Sequence, residues 1–484
     1  MSHLYWHRGS TSENRKFGSE EETFLSEVYR EGKLLAGNIK SRLIQNKLQF
    51  SRPTLFLYPD KDNLARISQF FELEVKAFFE DIAGKKIGEI HIPTAYRIGS
   101  NTTYWGPGWS ESTVTLEPVT MFIKHYLRGY RKPRNASITF FITNNEYVSP
   151  WDMIEKHHTG VVKNKSTPRV ALTFADGWSG KFLRHYCYKD SKMEGISGSF
   201  STDRLTLELE KKNYKIRSLE EVMSICNTIR IFLWYISFGV RQRTAWTEWT
   251  ALVGDELIEY CQANVSTPEN EGDKNDPLIG RQLLQEFSQH CLDYLSKGSG
   301  LDLYLPLVYL VNALSPKTVE AQFLSSYMSF ESFLNLYARA RGLDRHFAEK
   351  RAWHAFREHM KNAIDNYSDI DSGLKNVMAN KLGIFNDVSP KTVFAQFCSE
   401  MKVDVSDLWP VYGNKGISLS VLRNKLVHGE READDFLDVA NENLKWIVER
   451  CFLAVIGWSK PSDVDSGGLT RYTCYNLWRS CYNR

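Results

Sequence analysis

The chain has 484 residues, 42% hydrophobic and 25% charged, which predicts two or three packed domains and excludes a disordered chain. Its 61 lysines and arginines stand against 58 acids, a net charge of +3 that excludes a global basic field and leaves any nucleic-acid partner to local patches. The eight cysteines (Cys187, Cys226, Cys261, Cys291, Cys398, Cys451, Cys474 and Cys481) include no Cys-x-x-Cys pair, so they predict a reducing compartment, no disulfide framework and no metal site.

The opening residues Met1-Ser2-His3-Leu4-Tyr5-Trp6 lack the basic start and apolar core of a secretory leader. The most apolar stretches, 225–240 and 301–314, fall short of the roughly 20 residues a membrane span needs, and the first contains Arg230. The expectation is a soluble cytoplasmic protein with no membrane association.

Residues 1–215 read as strands and loops. Short β-branched or aromatic runs at 54–58 (TLFLY), 137–143 (SITFFIT), 170–174 and 204–209 are separated by Pro, Gly, Asn and Ser clusters. Near Ser218 the pattern changes. Ser218-Leu219-Glu220-Glu221 is a capping-box signature, and an apolar helical run over 222–240 follows. Residues 265–277 (VSTPENEGDKNDP) are polar, acidic and proline-bearing, the composition of a linker. Expected helices then run over 279–296, 303–314, 317–340, 347–367, 393–401, 419–428 and 433–458. The fold class expected is α+β and multidomain. A β-rich, sandwich-like domain (1–215) serves sensing or binding, a helical connector (216–264) and the linker (265–277) follow, and a helical bridging segment (278–316) leads into an all-α bundle with a C-terminal tail (317–484).

Chemistry concentrates in 418–430, SLSVLRNKLVHGE. Leu419, Leu422 and Leu426 make one core-facing stripe; Val421, Asn424 and His428 make a second. Gly429 stops the helix, which leaves His428 in the last turn, where the helix dipole favours positive charge. A histidine, a permanently charged arginine and an amide suffice for metal-free cleavage of an RNA phosphodiester. His428 can move the 2′-hydroxyl proton, Arg423 can stabilise charge on the phosphoryl oxygens, and Asn424 can orient either. No cofactor is called for.

Arginine, then asparagine, then histidine five positions after the arginine, on an apolar helical background, resembles the HEPN superfamily of ribonucleases and toxins. In that superfamily an earlier helix carries an acidic residue packed toward the arginine. The matching segment is 323–337 (FLSSYMSFESFLNLY), where Phe323, Tyr327, Phe330 and Leu334 form the stripe and Glu331 borders it. A carboxylate in such surroundings needs a cationic partner, which Arg423 or His428 supplies. The layout, a mixed region followed by a terminal HEPN-like bundle, resembles the ApeA group of bacterial antiphage proteins. The resemblance implies an endoribonuclease of abortive infection that leaves 2′,3′-cyclic phosphate and 5′-hydroxyl ends. It also implies catalytic residues Arg423, Asn424, His428 and Glu331, a homodimer or higher oligomer pairing two motifs in a composite cleft, and a phage-derived or other trigger at the N-terminal domain.

The spacing alone decides little, because Arg341-Gly342-Leu343-Asp344-Arg345-His346 matches it and Arg339 to His346 matches a longer form. That copy lacks the asparagine and follows a helix-ending glycine, so it reads as solvated loop. For RNA binding the candidates are Lys425 beside the motif and, in 124–134 (KHYLRGYRKPR), Lys124, Arg128, Arg131, Lys132 and Arg134, interleaved with tyrosines in a turn before a strand. Residues 211–217 are a weaker basic candidate. Arg241-Gln242-Arg243 is expected to stack a guanidinium on Trp246. The loop at 99–110 (GSNTTYWGPGWS), with Trp105 and Trp109, is a ligand-loop candidate, and His157-His158 reads as exposed loop. Two other readings stay open: a non-catalytic helical module for dimerisation or RNA binding, and a ligand-binding protein that works through its β-rich half.

Overall fold

The computed structural model describes residues 20–45, 54–59, 61–80, 86–106, 109–127, 134–143, 145, 147–149, 151–156, 162–167, 170–193, 196–262, 277–298, 300–314, 318–413, 417–430, 434–460 and 462. Two compact units divide the chain: a sheet unit (1–233 with 244–271) and a helical unit (234–243 with 272–484).

The sheet unit is built from β1 (Glu20–Arg30), β2 (Lys33–Gln45), β3 (Thr54–Tyr58), β4 (Glu72–Glu80), β5 (Lys86–Gly106), β6 (Trp109–Tyr126) and β7 (Ala136–Ile142). It continues with β8 (Trp151–Lys156), β9 (Val162–Thr167), β10 (Ala171–Thr173), β11 (Ser179–Met193), β12 (Ile196–Lys211), β13 (Trp246–Val253) and β14 (Glu256–Gln262). Twelve of them form one antiparallel sheet; β8 and β9 pair separately. Because β6 pairs with β5 on one edge and with β3 on the other, β1 to β6 close into a six-stranded barrel in the order β1-β2-β3-β6-β5-β4. Alternate residues of these strands fill it: Val28, Ile39, Leu55, Leu57, Val75, Ile90, Ile92, Val114 and Leu116 are all buried. The short helix α1 (Lys61–Ile67) adds Ile67 to that core. Turn chemistry fixes the first hairpin: Glu31 (φ 50°) and Gly32 (φ 75°) are both left-handed, as a two-residue type I′ loop requires.

Beyond Leu116 the same edge of β6 pairs with β14, and the sheet runs on through β13, β7, β12, β11 and β10. A sandwich was the expectation; the strands instead form one continuous sheet that closes on itself at one end. The span 216–264 is also not all helical. Only α2 (Leu219–Val240) is a helix, and β13 and β14 are strands inside the sheet. Their hairpin joins Val253 to Glu256 through Gly254 (φ 58°) and Asp255, a two-residue turn that the aromatic and β-branched runs on either side support. The sheet unit therefore extends past residue 215, and all but Pro277 of the expected linker falls outside the described residues.

At 22 residues, α2 is long and apolar enough to cross a membrane by length and composition, longer than its apolar run predicts. Val222, Cys226, Ile229, Phe232 and Leu233 are buried in the sheet unit, with the Phe232 ring 6.4 Å from Phe174, while Asn227, Thr228 and Arg230 are exposed. Its last turns belong to the helical unit. There a Cβ on Gly239 would sit 2.5 Å from the Phe287 ring, so only glycine fits.

The helical unit continues with α3 (Leu284–Lys297), α4 (Tyr304–Ala313), α5 (Val319–Arg341), α6 (Lys350–Asp365), α7 (Ser372–Lys381), α8 (Pro390–Met401), α9 (Leu419–Val427) and α10 (Asp434–Ile456). The two 23-residue helices α5 and α10 pack together at its centre, and α4, α8 and α9 pack on α5. Phe330 and Phe333 of α5 meet Phe394 and Phe397 of α8 edge to face, with ring centres 5.1 and 4.9 Å apart. Helix α7 was not expected from the sequence, since it buries no residue and exposes Leu374, Val377 and Met378.

Candidate active site

Both ends of α9 are written in its sequence. The Ser418 hydroxyl accepts from the Val421 amide at the start. At the end Gly429 turns left-handed (φ 81°), its amide donates to Leu426 and that of Glu430 donates to Lys425, a Schellman closure. The helix thus stops at Val427, and His428 is its C-cap, one residue earlier than the expected boundary. Leu419 and Leu422 are fully buried and Leu426 half-buried, whereas Val421, Asn424 and His428 are exposed. The two expected stripes exist, one in the core and one in solvent.

Arg423 lies between them. One terminal nitrogen of its guanidinium stands 3.4 Å from the Glu331 carboxylate, and the other donates to Asn424 Oδ1 at 3.1 Å. Its central carbon is 5.7 Å from the centre of the Tyr327 ring. The arginine and glutamate side chains are 34% and 42% exposed, so the pair faces water. Glu331 reaches it from α5 because Phe323, Tyr327, Phe330 and Leu334 bury the adjacent stripe and leave position 331 at its edge.

Beneath the guanidinium lies a tyrosine pair. The hydroxyls of Tyr327 and Tyr412 hydrogen-bond to each other. Burial pushes Tyr327 up to about 12; Glu331 adds to that shift and Arg423 opposes it. Burial likewise raises Tyr412, with Tyr327 next in weight. Neither tyrosine was singled out as a site residue. Tyr327 could have been, because it stands four residues before Glu331 and so one turn along the same helix. Tyr412 comes from the non-helical connection between α8 and α9, where no periodicity marks it.

The structure therefore gathers Arg423, Asn424 and Glu331, and adds Tyr327 and Tyr412. It does not join His428 to them: the imidazole makes no side-chain hydrogen bond or ion pair with the other three among the described residues. Lys425 is half-buried on α9. The second copy of the spacing behaves as solvated loop. Gly342 (φ 66°) ends α5, Arg341 pairs with Glu400, and exposed His346 is held by its backbone to Asn386.

The basic segment at 124–134 divides. Lys124 is not in a turn but inside β6, because the two-sided strand runs on to Tyr126. Its ammonium pairs with Glu89 at 3.1 Å, and Lys86 and Tyr126 bind the same carboxylate at 2.9 and 3.0 Å. Burial pushes Glu89 up, but those three hydrogen bonds outweigh it and hold the carboxyl at about 2. Lys124 is thus committed within the barrel. Arg128, Arg131 and Lys132 lie outside the described residues, and Arg134 is exposed just before β7. Within 99–110 the described residues continue β5 and β6 as paired strands, with Gly106 opposite Trp109, rather than forming an open loop. The Trp105 and Trp109 side chains and His157-His158 lie outside the described residues. Arg243 stacks on Trp234, 5.5 Å from its ring centre. In the weaker basic segment, the Lys211 ammonium lies 4.3 Å from the Tyr214 ring centre. No group of three or more His, Cys, Asp or Glu placed to hold a metal ion occurs among the described residues.

Comparison with family models, with curated proteins and with solved structures finds no match to this chain.

Proposed function

We propose that the chain is a metal-independent endoribonuclease of HEPN type that acts in the cytoplasm in antiphage defence, held inactive until a phage-derived or other trigger reaches the sheet unit. One observation carries this reading. Arg423 is oriented by Glu331 and Asn424, yet among the described residues only two of the five N–H donors of its guanidinium are used, and its side chain stays 34% exposed on the helix that His428 caps. Such a fork accepts a phosphoryl group without first breaking the contacts that aim it.

In this reaction the 2′-oxygen attacks the adjacent phosphorus as His428 takes its proton. The bond from phosphorus to the 5′-oxygen breaks and that oxygen gains a proton, which leaves a 2′,3′-cyclic phosphate and a 5′-hydroxyl. Arg423 stabilises the charge that builds on the non-bridging oxygens. Asn424 aims the guanidinium, and Glu331 fixes it from the opposite side. Since the His428 imidazole makes no hydrogen bond or ion pair with the other three side chains among the described residues, a homodimer or higher oligomer completes the cleft by setting two copies of the motif against each other.

The test is to express wild type and His428→Ala in bacteria, challenge both with phage and map RNA ends that carry 2′,3′-cyclic phosphate. Ends that appear with wild type and vanish with the variant are expected; equal cleavage by both would sink the assignment. The isolation of His428 favours one rival, a non-catalytic module in which Arg423 only holds RNA. There Arg423→Lys would preserve binding, whereas a forked phosphoryl clamp would not survive it.

A further inference from the structure

Helix α6 carries an exposed row of cations. Lys350, His354, Arg357 and Lys361 follow the spacing i, i+4, i+7, i+11 and so share one line along its surface. All four are exposed, and none has a side-chain partner among the described residues. Two acids stand one turn from members of the row, Glu358 from His354 and Lys361 and Asp365 from Lys361, and neither forms an ion pair with any of the four among the described residues.

The other side of α6 is already occupied. Trp353 and Met360 are half-buried and Ile364 is buried. The Phe347, Trp353 and Phe356 rings cluster with centres 5.1 to 5.9 Å apart. A helix whose apolar face is spent within its own domain cannot insert that face into a lipid surface. What it can offer is a cationic edge about 16 Å long, the length of several phosphates. Phe356 remains 38% exposed at the edge of the ring cluster, available to an unpaired base.

We propose that Lys350, His354, Arg357 and Lys361 of α6 form a binding surface for the backbone of single-stranded RNA. It rests on the ribonuclease reading only for the choice of RNA as the polyanion. The surface serves to hold substrate, and Arg423 and His428 serve to cut it.

The test uses the full chain in a His428→Ala background. Binding of a short fluorescein-labelled single-stranded RNA is followed by anisotropy across a salt series. Adding Lys350→Gln, Arg357→Gln and Lys361→Gln keeps good helix formers at exposed positions and removes three permanent cations. The expected result is a log–log salt slope smaller by about 2 and a roughly 10- to 100-fold weaker affinity at low salt. Lys297→Gln with Lys381→Gln, two exposed lysines elsewhere in the unit, serves as the control and should change the slope little. No RNA binding by the parent protein, equal loss in the control, or unchanged binding by the triple variant would each overturn the proposal. So would a stripe-dependent affinity for anionic phosphatidylserine vesicles with RNA binding intact. Cleavage that persists in His428→Ala removes the nuclease assignment and leaves this binding result standing, so the two failures are distinguishable.

Discussion

Two arginine–glutamate pairs in the helical unit share a composition and differ in everything else. Arg241 and Glu449 are each 2% exposed and lie side by side, Nε to Oε1 at 2.7 Å and Nη2 to Oε2 at 2.6 Å. Arg241 reaches this position with a left-handed backbone (φ 49°), a conformation that costs roughly 1–2 kcal/mol outside glycine. Arg423 and Glu331 meet through one contact at 3.4 Å, with more than a third of each side chain in water or nearly so. A buried pair joined by two hydrogen bonds can only hold the fold. An exposed pair joined by one contact can take a third partner, and a substrate phosphate is such a partner. The sheet unit repeats the multiply bonded case, with Glu89 accepting from Lys86, Lys124 and Tyr126 at once.

The sharpest break of this contrast is Glu449→Ala. It removes the carboxylate that a buried guanidinium grips with two hydrogen bonds, and unfolding in urea should show a loss of about 3–5 kcal/mol. A loss below about 1 kcal/mol would mean that the buried pair does not lock the helices. Arg423→Lys is the next largest effect and should fall elsewhere: RNA cleavage drops on the order of 10²–10³-fold, while stability moves by no more than about 1 kcal/mol because the pair is exposed. If the variant cuts normally, the forked clamp is not used.

The helical half was more legible in sequence than the β half, and the reasons are physical. The leucines at 419 and 422 and the stop at Gly429 are local signals, and each sits where the sequence placed it to within one residue. Glu331 was singled out through the resemblance, which implies an acid on an earlier helix, and a carboxylate beside a phenylalanine-rich stripe is expected to seek a cation. The pairing of β6 with β3, β5 and β14 is non-local, and nothing in 109–126 announces that one strand will serve three neighbours. Lys124 was misplaced for the same reason: composition makes 124–134 one basic run, whereas register places its first residue against Glu89. Tyr412 was invisible because the 402–418 connection has no period to read.

Tyr327→Phe probes the support beneath the exposed pair. It removes the hydroxyl that Tyr412 bonds but keeps the ring beside Arg423. The expected cost is about 1 kcal/mol of stability, with cleavage reduced less than by Arg423→Lys. Tyr327→Leu removes the ring as well and should lower cleavage further. Equal cleavage by the two variants would show that the aromatic face does not help to place the guanidinium.

The smallest effect separates the saturated carboxylate in the barrel from the others by pH. Glu89 titrates at about 2 in the folded chain against an ordinary 4.5, so its folded value is depressed. A depressed carboxyl stabilises the fold at pH above the ordinary value and loses that contribution as pH falls toward the folded one. Glu89→Gln cannot titrate. It should therefore be less stable than wild type near neutral pH, and the gap in urea midpoint should narrow between about pH 5 and 2 and close below. The gap is limited to roughly 1 kcal/mol because the Lys124 and Glu89 side chains stay 31% and 23% exposed. A gap that stayed constant over that range would show that Glu89 contributes through packing, and that the three groups around it do not hold its charge.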